Sequence, residues 1–255
     1  MATQNTAKRT VKTADTVFTI IETLLEMDGA GVTEIADRTG LAKSTVHGHL
    51  STLHRREYVV KDGNTYRIGL KFLDYGMQTM GNREEISDAV QPVIEQVAQE
   101  TSEVVWFVVE EHGRSVFLMR ARGDRAVPTQ HTIGYRTYLH DNSGGKAILA
   151  HMSDDEIRTV IDRHGLPRRT KHTITDPDEL FEQLEQIREQ GVAFCECETI
   201  RGVRSVGAPV FHGDDLAGSI CVIGPTNRLR KEYFREEIPD ILLGAANEIE
   251  LKLSY

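Results

Sequence analysis

One short stretch of the sequence concentrates the side chains that could hold a polyanion. Residues 40–61 contain three histidines, four lysines or arginines and a single acid, although the whole chain carries a formal net charge of −9 at pH 7. Positive groups gathered in one window of an acidic protein are typical of a surface that binds nucleic acid. We therefore expect one element of the fold to present these side chains together.

The charge of the chain changes along its length. Residues 1–80 hold ten basic and nine acidic side chains, a net charge of +1, whereas residues 81–255 hold twenty and thirty, a net charge of −10. A nearly neutral first part attached to an acidic remainder is what we expect where only the first part approaches a polyanion. The sequence alone leaves open that the basic residues form an ordinary solvated surface.

A helix that starts near Ser44 would divide these side chains between two faces. Val46, Leu50 and Leu53 recur at helical spacing and form an apolar stripe. The opposite face is small and polar at its start and basic at its end, which suits a helix in the major groove of duplex DNA. The residues predicted to contact DNA, two of them on the following hairpin, are Lys43, Ser44, Thr45, His47, Gly48, Ser51, Thr52, Arg55, Lys61 and Arg67.

The elements around this helix occur in the order of a winged helix-turn-helix. Apolar residues at helical spacing predict a helix over residues 13–28, and Thr33 and Ser44 are expected to cap the next two helices. The β-prone runs on either side of residues 62–64 (DGN) predict a hairpin. We expect residues 1–80 to form a DNA-binding domain with its linker helix.

Strands mixed with helices follow a break at Gly81-Asn82. Two apolar runs around His112-Gly113 predict a strand pair, and residues 192–224 predict three further strands. Helices are expected in NSGGKAILAHM, in DELFEQLEQIREQG and from about residue 229 to 253. This mixture predicts an α+β fold with a mainly antiparallel sheet in residues 81–255.

The three cysteines invite a metal or redox interpretation. Cys195 and Cys197 would share one side of a strand, where Cys221 and His212 could join them. A structural zinc site usually has two ligand pairs, and this chain has a single Cys-x-Cys pair. The sequence predicts no cofactor and no metal, and it leaves a thiol- or metal-based redox sensor as an alternative.

Enzymes and secreted or membrane proteins are not supported by the sequence. The SGGKA run lacks the leading glycine and the Ser or Thr of a phosphate loop, and neither G-x-S-x-G nor H-E-x-x-H occurs. We predict no catalytic residue. The amino terminus has no apolar run behind its basic residues, and no stretch approaches the roughly eighteen apolar residues of a membrane span. We expect a cytoplasmic protein without membrane attachment.

Residues 31–76 resemble the DNA-binding half of the IclR-type transcriptional regulators. They read GVTEIADRTGLAKSTVHGHLSTLHRREYVVKDGNTYRIGLKFLDYG, with that family's GL-x-KSTVH-x-x-L-x-TL core and its Y-R-x-G exit from the wing. LHDNSGGKAILAHM and VRSVGAPVF…AGSICVIGPTNRL resemble the family's effector-binding half, so the resemblance covers about residues 13–250. The family usually has arginine where this chain has Gly48.

The resemblance implies a GAF-like sensor domain and a homodimer that binds duplex DNA, often with dimers pairing into a dimer of dimers. It implies repression or activation controlled by a small metabolite. Transfer of the family's effector positions gives Ser143, Gly144, Cys195, Val203, Ser205, Cys221 and Ile223. Such a cavity, with N–H donors, hydroxyls, thiols and apolar walls, suits a small organic or sugar acid. Two alternatives stay open: these residues pack an ordinary core, or the winged helix binds protein in a metabolite-sensing adaptor.

Overall fold

A computed structural model of the chain describes residues 10–127 and 131–254. Contacts between residues separate two units, Met1–Arg83 and Glu84–Tyr255. The sequence places the domain boundary at residues 80 and 81, close to this division. The sequence predicts no secretory leader at the amino terminus, and most of the residues concerned lie outside the described ones. Among the described residues, no helix is long and apolar enough to cross a membrane.

Unit 1 packs helices and a small hairpin around one apolar core. Its elements are α1 (Lys12–Glu26), α2 (Val32–Thr39), α3 (Lys43–Arg55), β1 (Val59–Asp62), β2 (Thr65–Ile68) and α4 (Lys71–Gly81). Ile20 and Leu24 of α1, Ile35 of α2, and Val46 and Leu50 of α3 are almost completely buried in this core. The order of helices and hairpin confirms the predicted winged helix-turn-helix.

The caps of α2 and α3 differ from the prediction. α2 begins one residue before Thr33, and Gly31 is its N-cap residue, whose N–H donates to the Glu34 carboxylate at 2.7 Å. α3 begins after Ala42, so Ser44 lies inside its first turn and is not the cap. The predictions were wrong because a hydroxyl residue is a common N-cap but not a required one.

The wing is the hairpin of β1 and β2. Asp62 pairs with Thr65 across a two-residue turn in which Gly63 has φ +57°. Glycine adopts this left-handed backbone without steric strain. Tyr66 is buried and its backbone pairs with Ala30, which ties the wing to the connection between α1 and α2.

α4 follows the wing and is held to unit 1 at its first turn. Phe72 and Tyr75 pack on Tyr58, with ring centroids 5.3 and 6.0 Å apart. The Lys71 ammonium donates to the Arg56 carbonyl at 3.0 Å. Every residue of α4 remains at least partly exposed. The first turn of α4 is therefore anchored, and its apolar side chains further along have no cover within unit 1.

Unit 2 is an α+β fold with a single antiparallel sheet in its described part. Its elements are α5 (Glu84–Thr101), β3 (Val104–Glu111), β4 (Arg114–Arg122), β5 (Arg136–Tyr138), α6 (Ser143–Leu149), α7 (Asp154–His164), α8 (Pro177–Gln190), β6 (Ala193–Glu196), β7 (Val203–His212), β8 (Asp215–Pro225) and α9 (Ile238–Leu253). The strand order is β5-β4-β3-β8-β7-β6, and all neighbouring strands are antiparallel. This sheet confirms the predicted fold class.

The two faces of the sheet have different covers. Trp106 and Val108 of β3 form one apolar cluster with Ala147 and Ile148 of α6 and with Leu184 of α8. The next residues along β3 point to the opposite face, because side chains alternate along a strand. On that face α5 and α9 pack against each other and against the sheet.

The sequence did not predict three short elements of unit 2. β5, a 3₁₀ turn at Leu139–Asp141 and a π-helical turn at Tyr233–Glu237 have too few residues to show a hydrophobic period. Helical backbone runs from Lys231 through this π-helical turn into α9, so the last helix starts close to the predicted residue 229.

Glycines let α6 lie directly on the sheet. A Cβ on Gly145 would be only 2.5 Å from the Ser115 hydroxyl oxygen and 2.7 Å from the Leu139 Cα. Gly207 of β7 approaches the helix from the other side, and a Cβ there would be 2.7 Å from the Ser143 carbonyl oxygen. Any side chain at these positions would push the helix away from the sheet.

Replacing Gly145 with alanine is therefore expected to destabilise unit 2, by about 1–3 kcal/mol in the free energy of unfolding. Urea unfolding followed by the fluorescence of Trp106, the only tryptophan of the chain, measures this loss. Gly244→Ala is the matched control, because a Cβ on this helical glycine meets nothing within 4 Å. It should raise the stability by about 0.5–1 kcal/mol. Equal unfolding midpoints for the two variants would contradict the packing argument.

Candidate functional site

α3 presents its polar face to solvent. The residues predicted to contact DNA on this helix are all exposed, whereas Val46, Leu50 and Leu53 are buried. A Cβ on Gly48 would meet nothing within 4 Å, so the middle of this face is an open gap. The face is therefore slim enough to approach the edges of bases closely.

The charges along α3 favour contact with phosphate. Between Lys43 and Arg55 the helix contains no acidic residue. Ala42, the N-cap residue, has no side chain that could occupy the first N–H groups of the helix. These groups and the positive end of the helix dipole are a ready site for a phosphate oxygen.

The two basic residues predicted on the wing are exposed but lie on opposite faces of the hairpin. Lys61 pairs with Tyr66 and its ammonium lies 5.3 Å from the centroid of that ring. Arg67 is the next residue, so its side chain points to the other face and lies over Gly29. A partner that lies against one face of the hairpin would contact only one of these two residues. A partner that contacts both must reach both faces, as it could at the tip of the wing.

Unit 2 contains a cavity of about 790 Å³ on the sheet face that α6 covers. Its lining comes from all strands of the sheet except β3, from the connections that follow β4 and β6, and from those that precede α6 and α8. The lining residues are Phe117, Val127, His131, Tyr135, Thr137, Asn142, Arg168, Arg169, Cys195, Thr199, Ile200, Val203, Ser205, Ile223, Gly224 and Pro225.

Part of the predicted effector set lines this cavity. Cys195, Val203, Ser205 and Ile223 do so, and Cys195 faces Ser205 across the β6–β7 pair. The Cys195 thiol donates to the Asp141 carbonyl at 3.4 Å. These strand residues therefore form one wall of the cavity, while both strand neighbours of Cys195 point to the other face of the sheet.

Three predicted effector residues do not line the cavity. Ser143 and Gly144 are buried beneath it, because β7 closes on them at Gly207 and the Ser219 hydroxyl donates to the Gly144 carbonyl at 3.0 Å. Cys221 is buried in the apolar cluster beside its strand partner, Trp106. The prediction that these three residues line the effector cavity therefore finds no support in the lining of this cavity.

No pattern in the sequence predicted the charged and aromatic residues of the cavity. Arg168 and Arg169 lie in a connection without regular structure, where no periodicity marks them. The only signal was a pair of arginines after a proline in an acidic half of the chain. His131 and Tyr135 stack with ring centroids 4.2 Å apart and an interplanar angle of 11°. Only folding brings this stack beside Phe117.

Hydroxyl groups anchor the arginine-bearing connection. The Thr170 hydroxyl donates to the Cys197 carbonyl and the Thr173 hydroxyl donates to the Glu198 carbonyl, both at 2.7 Å. The residue after Glu198, Thr199, lines the cavity and donates to the Asp141 carbonyl. The two connections and the turn before α6 are thus joined around the cavity.

Unit 2 contains several buried or half-buried ionisable groups, of which the half-buried His131 lines the cavity. Lys146 of α6 is fully buried and its ammonium lies 2.5 Å from the Glu198 carboxylate. Burial raises the pKa of Glu198, and the charge of Lys146 opposes that rise. Burial lowers the pKa of His140 to about 4, so this imidazole is neutral at pH 7. Burial likewise lowers the pKa of His131.

The cysteines do not form the arrangement that a metal or redox sensor needs. Burial raises the pKa of Cys195 to about 11 and that of Cys221 to about 12, so both are protonated at neutral pH. β6 ends before Cys197, whose φ of +60° breaks the strand alternation that would have aligned it with Cys195. Among the described residues, no group of three or more His, Cys, Asp or Glu side chains could hold a metal ion.

Comparison with known proteins identifies the class. The IclR helix-turn-helix domain matches residues 13–63, and the "Bacterial transcriptional regulator IclR C-terminal" domain matches residues 78–251. The "Probable HTH-type transcriptional regulator ArcR" of Halobacterium salinarum is 30% identical over 99% of this chain and 97% of its own length. The chain belongs to the IclR family of transcriptional regulators. It is a DNA-binding regulator with an effector-binding C-terminal domain.

Solved structures agree with this fold. The crystal structure of the Thermotoga maritima IclR has a TM-score of 0.77 and 26% identity, covering 96% of this chain and 99% of that one. An IclR homolog of Microbacterium hydrocarbonoxydans, crystallised with 4-hydroxybenzoate, has a TM-score of 0.80 and 22% identity over 94% of this chain and 98% of that one. Family membership supports regulation and not catalysis, as the sequence predicted.

The thiols provide a direct test of the redox alternative. At pH 7 to 8, Cys197, which is partly exposed, should react with a disulfide reagent at least about tenfold faster than Cys195 and Cys221, because only thiolates attack and the other two are buried as thiols. Mass spectrometry of alkylated peptides measures the three rates, with urea-unfolded protein as the reference. Rapid modification of Cys195 or Cys221 in the folded protein would instead support the hypothesis of a thiol-based redox sensor.

Proposed function

We propose that this regulator binds a partly palindromic operator as a homodimer and responds to a small organic or sugar acid held in the unit 2 cavity. The charge of the cavity is the observation that supports an acidic effector. Two guanidinium groups line it within residues 10–127 and 131–254, although residues 81–255 have a net charge of −10. A positive cavity in an acidic domain favours an anionic ligand.

The residues that support DNA contact are those of the α3 face. Lys43, Ser44 and the first N–H groups would bind phosphate, whereas His47, Ser51 and their neighbours are exposed where they could reach base edges. The remaining members of the proposed interface are Thr45, Gly48, Thr52, Arg55, Lys61 and Arg67. Because Gly48 leaves a gap where relatives usually carry arginine, we expect an operator preference of its own.

An exposed apolar stripe supports dimerisation through unit 1. Val11, Phe18 and Leu25 follow each other at seven-residue intervals and are each more than 60% exposed. This spacing places them on one side of α1, as in helices that pack against a second helix. Leu73 and Met77 form a similar exposed pair on α4. A two-fold dimer would present two α3 helices to half-sites about 34 Å apart, or a multiple of that distance.

The assigned phosphate contacts can be measured through their salt dependence. Arg55→Ala and Lys61→Ala should each weaken binding to all DNA sequences alike and reduce the slope of log K against log salt by roughly one. Fluorescence anisotropy with an operator and a scrambled duplex, over a series of salt concentrations, gives both quantities. Arg163→Ala removes one exposed charge from α7 of unit 2 and should change neither. An unaltered slope in the Arg55 and Lys61 variants would exclude their proposed role.

The cavity assignment is tested by filling it. Ser205→Leu places an isobutyl group in the cavity wall beside Cys195 and should abolish the effect of the effector on DNA binding. DNA affinity without effector should stay unchanged, because Ser205 belongs to unit 2. Trp106 fluorescence reports whether unit 2 is still folded. A variant that keeps its effector response would remove Ser205 from the site, and loss of DNA binding together with the response would indicate misfolding.

A further inference from the structure

The charged side chains around the cavity can be paired off one by one. In residues 10–127 and 131–254, the lining contains the guanidinium groups of Arg168 and Arg169 and no carboxylate. Behind the lining lie three buried acids, Glu103, Asp141 and Glu198. Arg228 neutralises Glu103 across 2.5 Å. Lys146 neutralises Glu198 across 2.5 Å. One acid, Asp141, is therefore left for two arginines.

Asp141 forms a salt bridge with Arg169. The Arg169 Nε lies 3.6 Å from the Asp141 Oδ2, and the side chain of Asp141 is completely buried. Thr137 and Asn142 both donate hydrogen bonds to this carboxylate, at 3.3 to 3.4 Å. Burial raises the pKa of Asp141, whereas these hydrogen bonds and the charge of Arg169 oppose the rise. The donors directed at its oxygens favour the carboxylate form.

The charge of Arg168 is not neutralised by an acidic side chain of the described residues. Its guanidinium donates to the Thr175 hydroxyl at 2.9 Å and to the Lys171 carbonyl at 3.4 Å, and neither acceptor is charged. No salt bridge of the described part of the chain includes Arg168. These hydrogen bonds leave other N–H groups of the guanidinium available and hold it in place at the cavity.

The rest of the lining is poorly suited to a second charge. Phe117, Tyr135, Val203 and Ile223 give the cavity large apolar surfaces. A carboxylate placed against such surfaces without a partner loses the hydration that stabilises it. The cavity therefore holds one position for an anionic group and an apolar or hydroxyl-bearing space for the body of the ligand.

We propose that the effector is a monocarboxylate, that Arg168 binds its carboxylate, and that Asp141 determines this preference by neutralising Arg169. This inference rests on the proposed function, since it specifies the acid that the unit 2 cavity takes. Removing the charge of Asp141 would leave two uncompensated arginines. Asp141 is thus a specificity-determining residue that never touches the ligand.

Matched acids test the charge preference. Butyrate with succinate, benzoate with terephthalate, and gluconate with glucarate each compare one with two carboxylates on a similar skeleton, and butyramide, benzamide and gluconamide are the neutral analogues. Thermal unfolding of the full chain identifies the binders, and calorimetry gives their Kd. At least one monocarboxylate should bind the wild type about tenfold or more tightly than its dicarboxylate partner, and its amide should not bind.

Variants separate the roles of the charged groups. Asp141→Asn should improve dicarboxylate binding relative to monocarboxylate binding by about tenfold. The double variant Asp141→Asn with Arg169→Gln restores one net charge and should restore the original preference. Should the Asp141 variants fail to fold, Arg168→Gln against Arg168→Lys decides. Arg168 is exposed, and loss of its charge should abolish acid binding while lysine retains most of it.

Several results would overturn the inference. These are equal binding of the members of every pair, binding of amides as strong as that of acids, binding of no acid in the set, or full acid binding by Arg168→Gln. A neutral compound that releases DNA would leave the proposed regulator intact and remove only the charge assignment. DNA binding by the wild type that ignores salt would instead contradict the proposed function.

Discussion

The close approach of α6 to the antiparallel sheet is the constraint on which unit 2 depends. Gly145 and Gly207 bring backbone against backbone, at distances that no side chain could share. Lys146, on the same helix, must then be buried, and it is stabilised only because Glu198 meets it from the connection after β6. One contact thus fixes the helix, that connection and, through the hydroxyls of Thr170 and Thr173, the arginine-bearing segment. The cavity is the space that remains beside this packed helix.

An acidic chain binds DNA and, in the proposed function, also binds an anionic effector. Its net charge of −9 would repel both DNA and an organic acid at long range. Positive groups are nevertheless concentrated on the α3 face of unit 1 and, at Arg168 and Arg169, in the lining of the unit 2 cavity. In unit 2 the surrounding buried charges are paired, so a single free guanidinium can dominate the local field. Local charge, and not the total charge, decides what each site attracts.

Rigid and variable parts of unit 2 have different tasks. Strands and helices contribute the apolar walls and the fixed thiol and hydroxyl of Cys195 and Ser205. Arg168, Arg169, His131 and Tyr135, the groups proposed to select the acid, lie on connections without regular structure. Such segments can change in sequence without loss of the core. This division is consistent with a family in which one fold senses different metabolites.

The sequence by itself determined the winged helix-turn-helix, the antiparallel α+β unit and the exposed face of α3, because each follows from local periodicity and turn chemistry. It also located four residues of the cavity wall, since strand alternation is a local property. It could not separate Ser143, Gly144 and Cys221 from that wall, because the depth of a residue depends on which backbone closes over it. Nor could it find Arg168, Arg169 and Asp141 together. Their pairing joins connections that no local pattern relates, and only the packing of α6 on the sheet brings those connections to one cavity.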